Sequence, residues 1–165
     1  MISFDEAMAL LSKHIAPLEA ETIALSKAAG RTLAADVTAD IPSPRRTITV
    51  MDGYAVRLES VVSDAPMRVV GEARPGCPYD GPLATGTAVR IFTGAPLPEG
   101  ADCVIMQEYA SREGEGVRFS AGFGPARHIR QQGSDFAKGD VVLEQGTRCN
   151  PKAVVDIAAG DRSRI

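Results

Sequence analysis

From Ile41 to about Leu143, Gly, Pro and Asp recur so closely that only short runs of β-prone residues stand between them. Those runs are Met67 to Val70, Thr87 to Phe92, Cys103 to Gln107, Val117 to Ser120 and Val141 to Leu143. Proline fixes φ and lacks a backbone N–H, and glycine loses the most freedom when it is ordered, so this spacing excludes long helices. Short strands between turn residues predict a small barrel or sandwich. The composition agrees, with 16 Gly and 11 Pro against 5 Phe, 3 Tyr and no Trp.

Helix signals flank this region. Ser3 and Glu6 have capping-box spacing, and Phe4, Met8, Leu11 and Ile15 then share one helical face until Pro17 ends it. Glu21 to Leu25 alternates like a strand, Ser26 is placed to cap a short helix through Ala28, Ala29, Arg31 and Leu33, and Asp36 to Thr38 is extended. At the other end Asn150 is placed as an N-cap and Pro151 at the first helical position, with Gly160 as the stop. Neither end helix is long enough to be stable alone, so each must pack on something, either the other helix or a missing partner. The stretch Ile41 to Val50, IPSPRRTITV, reads as an exposed loop leading into a strand.

A length of 165 residues suits one ordinary domain or two small ones, and 44% hydrophobic with 24% charged residues excludes a disordered chain. Eighteen basic against 21 acidic residues leave a net charge of -3, which provides no global field for nucleic acid or an anionic membrane. No apolar run approaches the roughly 20 residues of a membrane span. Acidic Asp5 and Glu6 stand where a signal peptide would be basic, so the expected location is cytoplasmic. The three cysteines, Cys77, Cys103 and Cys149, are odd in number and show no CxxC spacing, and are read as reduced structural thiols.

Two segments can carry chemistry. Met51-Asp52-Gly53-Tyr54-Ala55-Val56 sets a carboxylate beside a glycine, although Asp-Gly is first of all a turn signal. Ile91-Phe92-Thr93-Gly94-Ala95-Pro96 ends a strand in a stiff loop, which suits either a plain connection or contact of the Thr93 hydroxyl and neighbouring N–H groups with an oxyanion.

Together these segments resemble the molybdopterin molybdenumtransferases, the family of bacterial MoeA and the gephyrin E domain. The resemblance rests on MDGYAV at 51–56, IFTGAPLPEGADCVIMQE at 91–108, HIRQQGSDFAKGD at 128–140 and AAGRTLAADV at 28–37. It covers essentially the whole chain, but only the N-terminal portion of a family member. It implies molybdenum cofactor biosynthesis, in which adenylylated molybdopterin is hydrolysed and molybdate inserted with Mg2+ required. Asp52 and Thr93 match positions implicated in that activity, Asp52 being suited also to the metal. Thr93 and the Gly94 backbone are placed to donate to an oxyanion, and Arg130 and Asp135 match a further motif where a salt link and a site contact are equally expected.

The chain departs from the family pattern before Asp52, where Arg46 replaces an aromatic residue and Ile48 a polar one, while Thr49 keeps a hydroxyl; Ser134 replaces a common glutamate. The implied fold class is mixed, mainly β: an elongated molecule in which a β-rich barrel-like domain over 39–140 is inserted into a small, partly helical α+β unit made of 1–38 and 141–165. The family's large α/β molybdopterin-binding domain is expected to be absent. The family's active site forms between that domain of one subunit and the β-rich domain of the other, so a homodimer is expected and the chain alone should not be competent. The face of Phe4, Met8 and Leu11 should then be exposed. The alternative reading is a non-catalytic binding or dimerisation module derived from the family.

Overall fold

The computed structural model describes residues 2–165. Both end helices form where their caps lie. In α1 (Phe4–His14) the Ser3 hydroxyl accepts from the Glu6 amide at 3.2 Å and the Glu6 carboxylate accepts from the Ser3 amide at 2.8 Å. In α2 (Pro151–Ala159) the Asn150 side chain accepts from the Ala153 amide at 2.9 Å. Their packing differs. α2 buries Ala153 and Ile157, whereas α1 buries none of its residues and leaves Phe4 78%, Met8 46% and Leu11 53% exposed.

The short helix expected from Ser26 does not form. Ser26 sits inside a single 3-10 turn (Leu25–Lys27), and the chain then turns through Gly30, whose φ is +79°. Ala28 and Leu33 are both buried in one cluster. Five helical steps would separate them by about 140° around the axis, so the irregular path is what lets both side chains point inward. The alternation at Glu21 to Leu25 yields only an isolated bridge between Ala24 and Arg164.

The short strands are β1 (Val37–Thr38), β2 (Ile48–Thr49), β3 (Gly53–Val56), β4 (Met67–Ala73), β5 (Thr87–Ile91), β6 (Cys103–Met106), β7 (Ala110–Glu113), β8 (Gly116–Phe119), β9 (Ile129–Arg130) and β10 (Val141–Leu143). Six of them form one sheet in the order β6-β3-β5-β4-β8-β7, and β1 pairs with β10 and β2 with β9 in two small ladders. Within the large sheet only β4 and β5 run parallel. The mainly β expectation is met.

Both faces of the central strands are covered. On one face Tyr54, Val56, Ala88, Cys103, Ile105 and Phe119 pack together, with Tyr54 meeting Phe119 edge to face at 5.8 Å. On the other, Ala55, Val89, Ile91 and Val104 pack with Leu83 and Ala95. Alternate residues of β3, β5 and β6 divide between the two, so β3 is buried at every position. A third cluster joins Ala28, Leu33 and Val37 to Cys149 and Ile157, drawing the two ends of the chain together. Cys103 and Cys149 are buried in these clusters, while Cys77 is exposed and so departs from the reading of a structural thiol. No helix among the described residues is long and apolar enough to cross a membrane.

Candidate functional site

The approach to Asp52 is set by Thr49, which is only 1% exposed. Its hydroxyl donates to the Met51 carbonyl at 2.7 Å and accepts from the Met51 amide at 3.2 Å, closing the bend that precedes β3. Gly53 then pairs with Ile91 of β5 on one side and Met106 of β6 on the other. A Cβ at Gly53 would lie 2.0 Å from the Ile105 carbonyl oxygen, so glycine is required for strand approach and not for a hairpin turn. The turn reading of Asp-Gly is corrected accordingly: Asp52 stands at the entrance of the central strand.

Thr93 lies two residues past the end of β5 and meets Asp52 directly. Its amide and its hydroxyl both donate to Asp52 Oδ1, at 2.8 and 2.7 Å. These two bonds, the amide first, hold the Asp52 carboxyl below the usual carboxylate range, and the positive charge of Arg90 adds to the effect. Asp52 is therefore ionised near neutral pH, and its other oxygen, Oδ2, accepts no hydrogen bond among the described residues.

The donors that the resemblance assigns to an oxyanion have partners within the chain. Both Thr93 donors are taken by Asp52, and the Gly94 amide donates to the Thr49 carbonyl at 2.9 Å. Gly94 has φ +84°, so it supplies the left-handed turn that carries the chain away from Thr93.

Arg130 and Asp135 form an ion pair with each other, and the second oxygen of Asp135 accepts from the Ser43 hydroxyl at 2.9 Å. The Asp135 amide also donates to the Ser43 carbonyl at 2.9 Å. Arg130 lies in β9 opposite Ile48 of β2. These contacts tie the loop after β9 to the proline-rich loop that feeds β2, several residues before Asp52. Arg130 first, and Ser43 second, hold the Asp135 carboxyl below its ordinary value. Neither residue hydrogen-bonds Asp52. Among the departures from the family pattern, Ile48 is half-buried in β2 and bridged to Pro96, while Arg46 and Ser134 are exposed.

Two residues at this site escaped the sequence reading as contributors. Thr49 was visible only as a retained hydroxyl, and Arg90 carried no motif signal, because its partners come from strands that meet it only in the folded sheet. Of two open depressions of about 530 and 510 Å³, one is lined in part by Thr47, Asp102 and Arg127 and the other by Arg68, Glu72, Arg90 and Arg112; neither includes Asp52 or Thr93.

Residues 2–160 match the family described as the MoeA N-terminal region (domain I and II). The molybdopterin molybdenumtransferase of Haemophilus influenzae is 37% identical over 161 residues, which are 96% of this chain and 40% of that protein. Its counterpart in Synechococcus elongatus is 32% identical over 169 residues, 96% of this chain and 41% of the relative. The crystal structure of a molybdopterin biosynthesis moeA protein from Pyrococcus horikoshii OT3 superposes with a TM-score of 0.87 at 31% identity, covering all of this chain and 45% of that one. The chain thus spans about 40% of the length of the curated relatives it matches. Asp52, Thr93, Arg130 and Asp135 all fall inside the matched span, and the chain belongs to the MoeA N-terminal region family.

Proposed function

We propose that the chain acts in molybdenum cofactor biosynthesis as the N-terminal part of a molybdopterin molybdenumtransferase, with Asp52 and Thr93 forming one wall of the site where molybdate enters adenylylated molybdopterin. The observation that carries this reading is the double grip of Thr93 on one oxygen of Asp52. Two donors to Oδ1 fix the carboxylate in orientation and charge while leaving Oδ2 unengaged. So held, Asp52 is an acceptor and not a proton donor: Oδ2 can take a hydrogen bond from an attacking oxygen or bind a hard cation.

For Mg2+ the fit is partial. Asp52 offers one oxygen ligand, and no group of three or more His, Cys, Asp or Glu side chains able to hold a metal occurs among the described residues. Mg2+ commonly binds through one or two carboxylates plus substrate phosphates, so one protein ligand from this chain is compatible with such a site. When bound, the cation would neutralise charge on phosphoryl oxygens. Arg130 and Asp135 support this wall by fixing the loop before β2, and Gly94 supports it through its turn. The working unit is proposed to be a homodimer in the cytoplasm, in which a 39–140 domain of one subunit faces the large domain of the other.

A second reading, a binding or dimerisation module without catalysis, is favoured by the exposed apolar side of α1, which nothing in the described chain covers. Complementation separates the two. Mixed with a fragment carrying the family's large α/β domain, the chain should support cofactor formation, and Asp52→Asn should lower it by about 100-fold or more. An inert mixture favours the module, and activity of the chain with no partner overturns the proposal that it is incompetent alone.

A further inference from the structure

Arg90 hydrogen-bonds neither Asp52 nor Thr93, yet its contacts surround both. It sits in β5 opposite Tyr54 of β3. Nη1 donates to the Gly53 carbonyl at 2.9 Å and Nη2 to Gln107 Oε1 at 2.6 Å. Its guanidinium carbon lies 5.2 Å from the centre of the Tyr54 ring and 4.6 Å from that of Phe92. Each partner adjoins the pair. Gly53 follows Asp52, Phe92 precedes Thr93, and the Gln107 amide donates to the Asp52 carbonyl at 3.0 Å.

We propose that Arg90 is a positioning residue, a clamp that fixes the backbone on both sides of Asp52 against the strand end that carries Thr93, and so sets the two hydrogen bonds between them. The catalytic half of this inference rests on the function proposed above, whereas the geometric half stands without it. Only a planar fork serves here. Arg90 uses two of its donors on two different acceptors while its guanidinium carbon lies over two rings, and a lysine ammonium on the same stem would keep the charge without spanning both acceptors. The position also has a mechanical logic. Strand ends fray first, and Thr93 lies beyond the last ladder pair of β5, so a tether from the strand interior to the Asp52 segment holds together what the ladder itself does not reach.

The test is amide hydrogen exchange on the isotopically labelled chain. In Arg90→Gln the Thr93 amide, protected by its bond to Asp52, should exchange at least about tenfold faster, while Val56 and Ala88 in the sheet interior stay within about twofold of their original rates. Arg90→Lys should restore little of that protection. Unchanged protection at Thr93, or a uniform loss across β3 and β5, would overturn the clamp, the latter because it is what simple packing of Tyr54 predicts. Should Arg90→Gln fail to fold, Gln107→Leu removes one arm of the fork and should raise exchange at Thr93 in the same selective way. In the complementing mixture Arg90→Gln should lower kcat roughly 10- to 100-fold with KM changed less than about threefold. Selective exchange with an unaltered kcat would overturn the catalytic half. No activity from the unsubstituted chain in the mixture would instead defeat the proposed function, leaving the exchange result to decide the clamp.

Discussion

Thr93 shows how much a single side chain contributes when its backbone shares the work. Replacing it by Val keeps the amide bond to Asp52 Oδ1 and removes the hydroxyl bond, so the Asp52 carboxyl should titrate higher than in the parent, though still below the usual range; Thr93→Ser should leave it unchanged. Side-chain carboxyl NMR across the acid range would measure both variants. Gly53 is the opposite case, a residue whose value is the absence of a side chain. Gly53→Ala drives a methyl toward the Ile105 carbonyl, and β6 and β5 hem the strand on either side, so about 2–3 kcal/mol of stability should be lost in denaturant unfolding. At this scale the sequence was partly legible. Asp52 and Thr93 stood out through their motifs, but the Asp-Gly pair pointed to a turn because close strand approach and φ > 0 select the same residue. Thr49 closes a bend with Met51 that a hydroxyl alone does not announce, whereas Arg90 acts across strands, and no local pattern encodes such pairs.

Elements differ in what holds them. Within the described chain α1 has only local support, its capping box and the acidic Asp5 and Glu6 in the first turn, with Lys13 and His14 in the last turn complementing the dipole. α2 is anchored by Ile157 in the third cluster. Hence Ser3→Ala should fray α1 by about 1 kcal/mol without shifting the main unfolding transition, whereas Ile157→Ala should lower global stability by about 2–4 kcal/mol. Circular dichroism together with a core-reporting probe would separate the two effects. Caps and helical periodicity made both helices legible from the sequence. Strand β7 was not, because its Ala-Ser-Arg-Glu sequence is that of a polar sheet edge, and the helix expected from Ser26 yielded to the burial of Ala28 and Leu33.

Across the whole molecule, carboxylates pin loops to the sheets. Asp102 accepts from the Leu58 amide at 2.8 Å and from Arg127 at 2.6 Å, and the amide bond foremost holds its carboxyl below the usual range, as Arg130 does for Asp135. Both groups release their protons more readily folded than unfolded. Their stabilisation is therefore complete above the unfolded values near pH 4 and is lost as the pH falls through the lower folded values. The thermal midpoint should drop below about pH 4, and Asp102→Asn should lower the midpoint at neutral pH while flattening that acid dependence. Calorimetry over the acid range would show it. The sheet also carries its own history of assembly. In the order β6-β3-β5-β4-β8-β7, only β7 and β8 are both neighbours in sequence and antiparallel partners in space, so theirs is the one hairpin of the large sheet able to close locally. Every other pairing waits for distant segments to meet, and β3, which delivers Asp52, is captured between β5 and β6, two strands made later in the chain. The chain should accordingly fold on the millisecond-to-second scale of non-local β proteins, with Asp52 and Thr93 brought together only once the sheet's centre has closed.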